Sequence, residues 1–143
     1  MRNDADKKGL LTVGMRDNRI TSVGYFLRKF KLDELPQLIN VLKGEMSIVG
    51  PRPEVRNYVS LYTAEQIRIL KILPGITDYA SIQFKNENDL LSKAHDPETF
   101  YIDVIMPEKI ELNKKFIDQR TVWNYFKIIF LTVFGIFKKS DKT

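Results

Sequence analysis

Apolar positions recur at three- and four-residue spacing through two neighbouring stretches of the chain. In ITSVGYFLRKF, Val23, Phe26, Leu27 and Phe30 fall at i, i+3, i+4 and i+7, which predicts a helix with one buried face. Thr21 or Ser22 is placed to cap it. Leu35, Leu38, Ile39 and Leu42 repeat the spacing, and Gly44 follows where a C-terminal cap belongs. Pro36 is tolerated only in a first turn, so the second helix is expected to start at Asp33 or Glu34. Ahead of both, Met1 to Gly9 is polar, Leu10 to Val13 reads as a short strand, and Gly14 with Arg16 to Asn18 reads as a turn.

Further along, Met46 to Val49 predicts a strand running into the rigid turn Gly50-Pro51-Arg52-Pro53. A helix carrying Val55, Tyr58, Val59 and Tyr62 follows. Thr63-Ala64-Glu65-Gln66 has the form of a capping box and opens another helix that must stop before Pro74-Gly75. Asp78 to Phe84 alternates well enough for one strand. Asn86 to Asp118 is helical in pattern, with interruptions expected at Pro97 and Pro107. There are no internal repeats. The sum is an α+β fold, a predominantly helical single domain over residues 1–143 with a few short strands and a C-terminal amphipathic helix.

That last helix, from Trp123 to Lys139 within residues 122–139, is the most apolar stretch. A spanning helix needs about 20 apolar residues, and this one is shorter and interrupted by Asn124 and Lys127. Trp123 and Tyr125 at one end and Lys138 and Lys139 at the other suit a helix lying in a membrane interface. A buried C-terminal helix is the alternative.

Composition narrows the chemistry. The formal net charge of +5, from 23 basic and 18 acidic residues, favours anionic partners. There are no cysteines, which excludes disulfides, thiolate metal sites and cysteine nucleophiles. The single histidine, His95, removes His-rich metal sites and is assigned no role; Lys114-Lys115 reads as a solvated face. Acid–base or nucleophilic chemistry must therefore rest on carboxylates, lysine, tyrosine or hydroxyls. No apolar leader region occurs in the opening MRNDADKKG.

Within that inventory the adjacent Asp33 and Glu34 stand out. A helix start stabilises carboxylates as anions and also attracts phosphate. Arg28 and Lys31 lie close in sequence, a grouping that suits a carboxylate attacking a phosphoryl group beside a divalent cation. A plain helix cap is the competing reading of the pair, and a solvated helix face that of the two cations.

The wider context separates them. LDELPQLINVLKGEMSIVGPRP, Leu32 to Pro53, resembles the signature of the bacterial sugar transferase family, the monotopic phosphoglycosyl transferases. The resemblance continues through LPGITDYASI, Leu73 to Ile82, and covers most of the chain from about Gly14. It implies transfer of a phospho-sugar from a UDP-sugar to undecaprenyl phosphate with release of UMP, in exopolysaccharide, O-antigen or capsule-type glycan assembly. It implies Asp33 as the nucleophile of a covalent phospho-sugar intermediate, Glu34 as its partner at the metal or the acceptor's proton, and Mg²⁺ as cofactor held by Asp33 and Glu34. Arg28, five residues before the Asp as in the family, would hold a phosphate with Lys31. The loop of Pro51, Arg52 and Pro53 would present Arg52 to the charge of the UDP-sugar, a structural ion pair being the alternative. Lys85 falls where many members carry arginine, keeping the charge but not the bidentate geometry. Asp78-Tyr79 replaces a Gly-Trp of many relatives, a feature that would mark a sugar-specificity subgroup.

The same resemblance places an apolar membrane helix ahead of the domain in family members, and Met1 to Asp6 resembles the tail of the stretch after it. The expectation is a soluble catalytic portion, peripheral at the cytoplasmic face of the bacterial inner membrane, binding membrane weakly and poorly active alone. Two other classes compete: a non-catalytic adaptor, and a helix-turn-helix DNA module built from Ser22 to Phe30 and Asp33 to Lys43. Against the latter, the would-be reading helix begins with acidic residues and a proline, so no nucleic-acid partner is expected.

Overall fold

The computed structural model describes residues 20–29 and 32–137, without the side chains of 28, 29, 136 and 137. The strand expected at Leu10–Val13 and the turn after it lie outside the described residues. Among the described residues, eight α-helices and two short strands run in the order α1 (Ser22–Lys29), α2 (Pro36–Leu42), β1 (Ser47–Val49), α3 (Arg56–Val59), β2 (Gly75–Thr77), α4 (Tyr79–Gln83), α5 (Glu87–Lys93), α6 (Pro97–Phe100), α7 (Met106–Asp118) and α8 (Val122–Phe137). The architecture is the predominantly helical α+β fold read from the pattern.

β1 and β2 pair in parallel, with Ser47 opposite Gly75 and Val49 opposite Thr77. Parallel strands need a crossover, and α3 with the 3-10 helix Gln66–Lys71 supplies it. The capping box at its start forms as expected: Gln66 N–H donates to Thr63 Oγ1 at 3.3 Å and Thr63 N–H to Gln66 Oε1 at 2.8 Å. Gly50, just after β1, and Gly75, the first residue of β2, meet, because a Cβ on Gly75 would lie 2.6 Å from Gly50 Cα. Here two backbones touch, and only glycine permits it.

Two apolar clusters flank this ribbon. Tyr58, Ile69, Leu91, Tyr101, Ile105, Met106 and Ile110 form the larger, from α3, α5 and α7 with their connections. Val49, Phe116 and Ile128 form the smaller, which docks α8 onto β1 and α7 with Tyr125 and Ile129 against it. Polar pins reinforce that seat. Ser47 and Tyr125 hydroxyls lie 3.2 Å apart. Thr132 Oγ1 donates to Ile128 O, so Thr77 Oγ1, 2.7 Å away, donates to Thr132.

Several expectations need correction. Asp78 to Phe84 is not a strand but α4, because the Asp78 carboxylate accepts the Ser81 N–H at 2.6 Å and caps a helix; the strand is the preceding Gly75–Thr77. α2 starts at Pro36, with Asp33 and Glu34 in a separate 3-10 turn, Leu32–Glu34. Proline at the first helical position explains the shift. Pro107 does not interrupt its helix: a π turn at Tyr101–Ile105 precedes it, Met106 N–H reaches Tyr101 O, and α6 runs on into α7. The apolar faces of α1 and α2 are exposed, with Val23 at 69% and Leu42 at 88%. Periodicity marks an apolar face but not the surface that covers it.

Candidate functional site

The site is built on the 3-10 turn that carries Asp33 and Glu34. Thr21 Oγ1 accepts the Gly24 N–H and caps α1. Past α1, Pro36 forces the helix to restart, leaving the two carboxylates on a tight turn rather than inside a helix. Asp33 is exposed and Glu34 half-buried. From the other side of the β-ribbon comes the Gly50–Pro53 loop. Pro51 is buried, and its carbonyl accepts the Gly75 N–H at 2.9 Å. That anchor, with prolines on both sides, fixes Arg52 so that its guanidinium meets Glu34 Oε1 at 3.1 Å. Of the two sequence alternatives for Arg52, the structure shows the ion pair.

Glu34, Arg52 and Pro53 line a cavity of about 570 Å³, within the range of small-molecule sites. Lys85 lines it too and donates to the Gly135 carbonyl of α8. Thus two of the expected substrate-binding cations converge with one of the two carboxylates, while Asp33 sits beside Glu34 just outside the lining. Pro51 acts from behind the loop. Lys31 and the Arg28 side chain lie outside the described residues.

The rest of the wall was not signalled by the motif. Glu54, directly after the proline loop, accepts a hydrogen bond from the Tyr101 hydroxyl. Lys109 lies 5.0 Å above the Tyr101 ring and 2.6 Å from the Glu87 carboxylate. Burial, and secondarily the Glu54 charge, push the Tyr101 phenol far above its ordinary range and Tyr62 up to about 12. Both stay neutral hydroxyls under physiological conditions. The cavity therefore joins the Glu34–Arg52 end, with Lys85, to a part that sets neutral aromatic hydroxyls and Asn113 among Glu54 and the paired Glu87 and Lys109. In sequence Tyr62 sits at helical spacing with Val55, Tyr58 and Val59, and nothing marks Tyr101; Glu54's adjacency to the proline loop was the one available signal.

A metal fits only in a particular way. Among the described residues no group of three or more acidic or histidine side chains forms. The Asp33–Glu34 pair offers hard oxygen donors, and Mg²⁺ typically takes one or two carboxylates with substrate phosphates and waters rather than a protein cage. The pair suits that mode.

Residues 1–139 match the family described as bacterial sugar transferase. The chain belongs to that family. It is 41% identical over 139 residues to the UDP-glucose:undecaprenyl-phosphate glucose-1-phosphate transferase of Escherichia coli, covering 94% of this chain and 26% of that protein. It is 38% identical over 136 residues to the uncharacterized sugar transferase EpsL of Bacillus subtilis, covering 93% and 57%. To the undecaprenyl-phosphate galactose phosphotransferase of Salmonella typhimurium it is 35% identical over 124 residues, covering 87% and 23%. The chain thus spans between about a quarter and just over half the length of these relatives. For a sugar transferase the helix-turn-helix alternative has no basis: α2 is a two-turn helix whose Leu38 faces the cavity.

Proposed function

We propose that this sugar transferase chain moves a sugar-1-phosphate from a UDP-sugar to undecaprenyl phosphate. The observation that carries the reading is the Glu34–Arg52 pairing on the cavity wall, which joins the acidic turn to the Gly50–Pro53 loop in a family whose relatives are named for this transfer. An Asp33 carboxylate oxygen attacks the sugar-bearing phosphorus, the bond from that phosphorus to the UMP oxygen breaks, and UMP leaves. The acceptor's phosphate oxygen then attacks the same phosphorus and releases Asp33, giving the sugar diphosphate-linked lipid. Arg52 and Lys85 offset phosphate charge. Glu34, held by Arg52, takes up any proton the acceptor phosphate still carries. When bound at Asp33 and Glu34, Mg²⁺ would supply further neutralisation of the phosphoryl oxygens.

The acceptor is a lipid, and α8 presents a matching surface. Trp123, Phe126, Phe130 and Phe134 are 62–79% exposed along one face, opposite the buried Ile128. Among the described residues no helix is long and apolar enough to cross a membrane. A helix of this kind lies in the interface plane, so the cytoplasmic face of the bacterial inner membrane is the proposed location. The deciding experiment is intact-mass analysis after incubation with a UDP-sugar and Mg²⁺. A phospho-sugar adduct on Asp33 with matching UMP release is expected, and Asp33→Ala should lose both. Undiminished UMP release by Asp33→Ala would remove Asp33 from the reaction.

A further inference from the structure

Two buried polar atoms in the cavity wall have no hydrogen-bond partner: the Tyr58 hydroxyl and Asn113 Oδ1. Tyr58 is 2% and Asn113 9% exposed. Folded chains leave few such atoms, because each gives up its hydration for nothing. Tyr58 packs in the larger cluster with Tyr101 and Ile110, and Asn113 follows Ile110 by one turn of α7. The cation of this region, Lys109, is held by the Glu87 carboxylate at 2.6 Å, and Glu54 and the Asn113 carbonyl are acceptors, a balance that disfavours a phosphate here.

We propose that Tyr58 and Asn113, with Glu54, bind the sugar of the donor, Asn113 Oδ1 accepting from one ring hydroxyl and the Tyr58 hydroxyl donating to another. The inference rests on the transferase reading above and adds which residues recognise the transferred group. An acceptor-rich wall needs a ligand with several O–H donors. A hexose has them, whereas uracil has one N–H and two carbonyls that would want donors. Glu54 keeps lone pairs beyond those taken by the Tyr101 hydroxyl and the Val55 N–H. The Tyr58 and Tyr101 rings, 4.9 Å apart and tilted by 47°, add an apolar surface for the C–H side of the ring. Arg52 and Lys85 line the same cavity, so a sugar here stays connected to phosphates held there.

The test titrates the chain with UDP-glucose, UDP-galactose and UMP at fixed Mg²⁺, in the wild type, Tyr58→Phe and Asn113→Ala. Each variant should weaken at least one UDP-sugar about five- to thirty-fold while UMP stays within about two-fold. Thermal unfolding of the ligand-free chain should show Tyr58→Phe at or above the wild-type temperature, because it deletes an unpaired buried atom; a purely structural hydroxyl would lower it. Asn113→Leu, which keeps the volume, replaces Asn113→Ala if the latter fails to fold. Equal weakening of UMP would mean that these atoms read uracil, and unchanged affinity for all three ligands would mean that they touch no donor; either overturns the inference while leaving the transferase reading intact. A wild-type chain that binds none of the three would overturn that reading, and the sugar subsite with it.

Discussion

Substituting Gly75 by alanine should damage fold and site together. The added Cβ would stand 2.6 Å from Gly50 Cα, against backbone that has no rotamer to give way. Relief requires the ends of β1 and β2 to separate. That strains three hydrogen bonds: Ser47 N–H to Pro74 O at 2.8 Å, Gly75 N–H to Pro51 O at 2.9 Å and Gly50 N–H to Thr77 O at 3.0 Å. At about 1 kcal/mol each, or by the roughly 1–3 kcal/mol of an overpacked site, the loss is about 3 kcal/mol. For a chain of this size that is about 10 °C in Tm. Gly135→Ala is the matched control. Its Cβ meets nothing within 4 Å, and alanine inside a helix is favoured over glycine by about 1 kcal/mol, so Tm should rise by about 3 °C. Differential scanning calorimetry reads both. Because the Gly75 N–H also anchors Pro51, Gly75→Ala should lower UMP release even at temperatures where the chain stays folded. A Gly75→Ala chain within about 2 °C of wild type would show that the strand ends yield freely, and the steric argument would fail.

Arg52→Ala should separate function from stability. Its ion pair with Glu34 is solvent-accessible, with 40% and 21% of the side chains exposed, so unfolding should shift by less than about 1 kcal/mol. UMP release should nevertheless fall roughly 100-fold, with Arg52→Lys recovering only part; unaltered release would leave Arg52 a surface pair alone. Replacing Phe126 and Phe130 together by serine should reduce co-sedimentation with anionic phospholipid vesicles at least roughly ten-fold. Tm should hardly change, since both rings are mostly exposed; undiminished sedimentation would place the lipid surface elsewhere. Tyr62 supplies an alkaline signature. Its folded pKa is raised from 10.0 to about 12, so between those values the unfolded chain loses a proton that the folded chain keeps. Its contribution is therefore complete below pH 10 and disappears as pH rises towards 12. Tyr62→Phe should flatten the decline in urea-unfolding midpoints over that window, and parallel curves would argue that the phenol is not held by the fold.

The family and the candidate residues were legible before the fold. Asp33-Glu34 and the proline loop lie within one continuous motif, so both could be singled out together, although their contact through Glu34 and Arg52 is tertiary. Local rules also held where one short-range contact dominates: the Thr63–Gln66 capping box and the Thr21 cap form as drawn. The misreading of Asp78 to Phe84 has an equally local cause. So short a stretch cannot separate period two from period 3.6 by apolarity alone, and the capping aspartate, with Oδ1 on Ser81 N–H, decided for helix. Pro107 was misjudged because the π turn ending at Ile105 leaves it in the first turn of α7, where its missing N–H costs little.

By itself the sequence determined the acidic turn, the rigid mount of Arg52, the exclusion of cysteine chemistry and the family. All of these are properties of neighbours along the chain. Only the tertiary structure decided what else the cavity contains. Tyr58 was read only as one of a helical run with Val55, Val59 and Tyr62, and no pattern singled out Tyr101 or Asn113; parallel pairing of β1 with β2, through the close contact of Gly50 and Gly75, carries the proline loop across to the acidic turn. The helices packed around that ribbon close the wall with Glu54, Lys85 and Asn113. The same packing decided that α8 buries Ile128 and turns its aromatic face outward. The physical reason is that periodicity encodes which residues share a face, whereas pairing between distant segments encodes what that face meets.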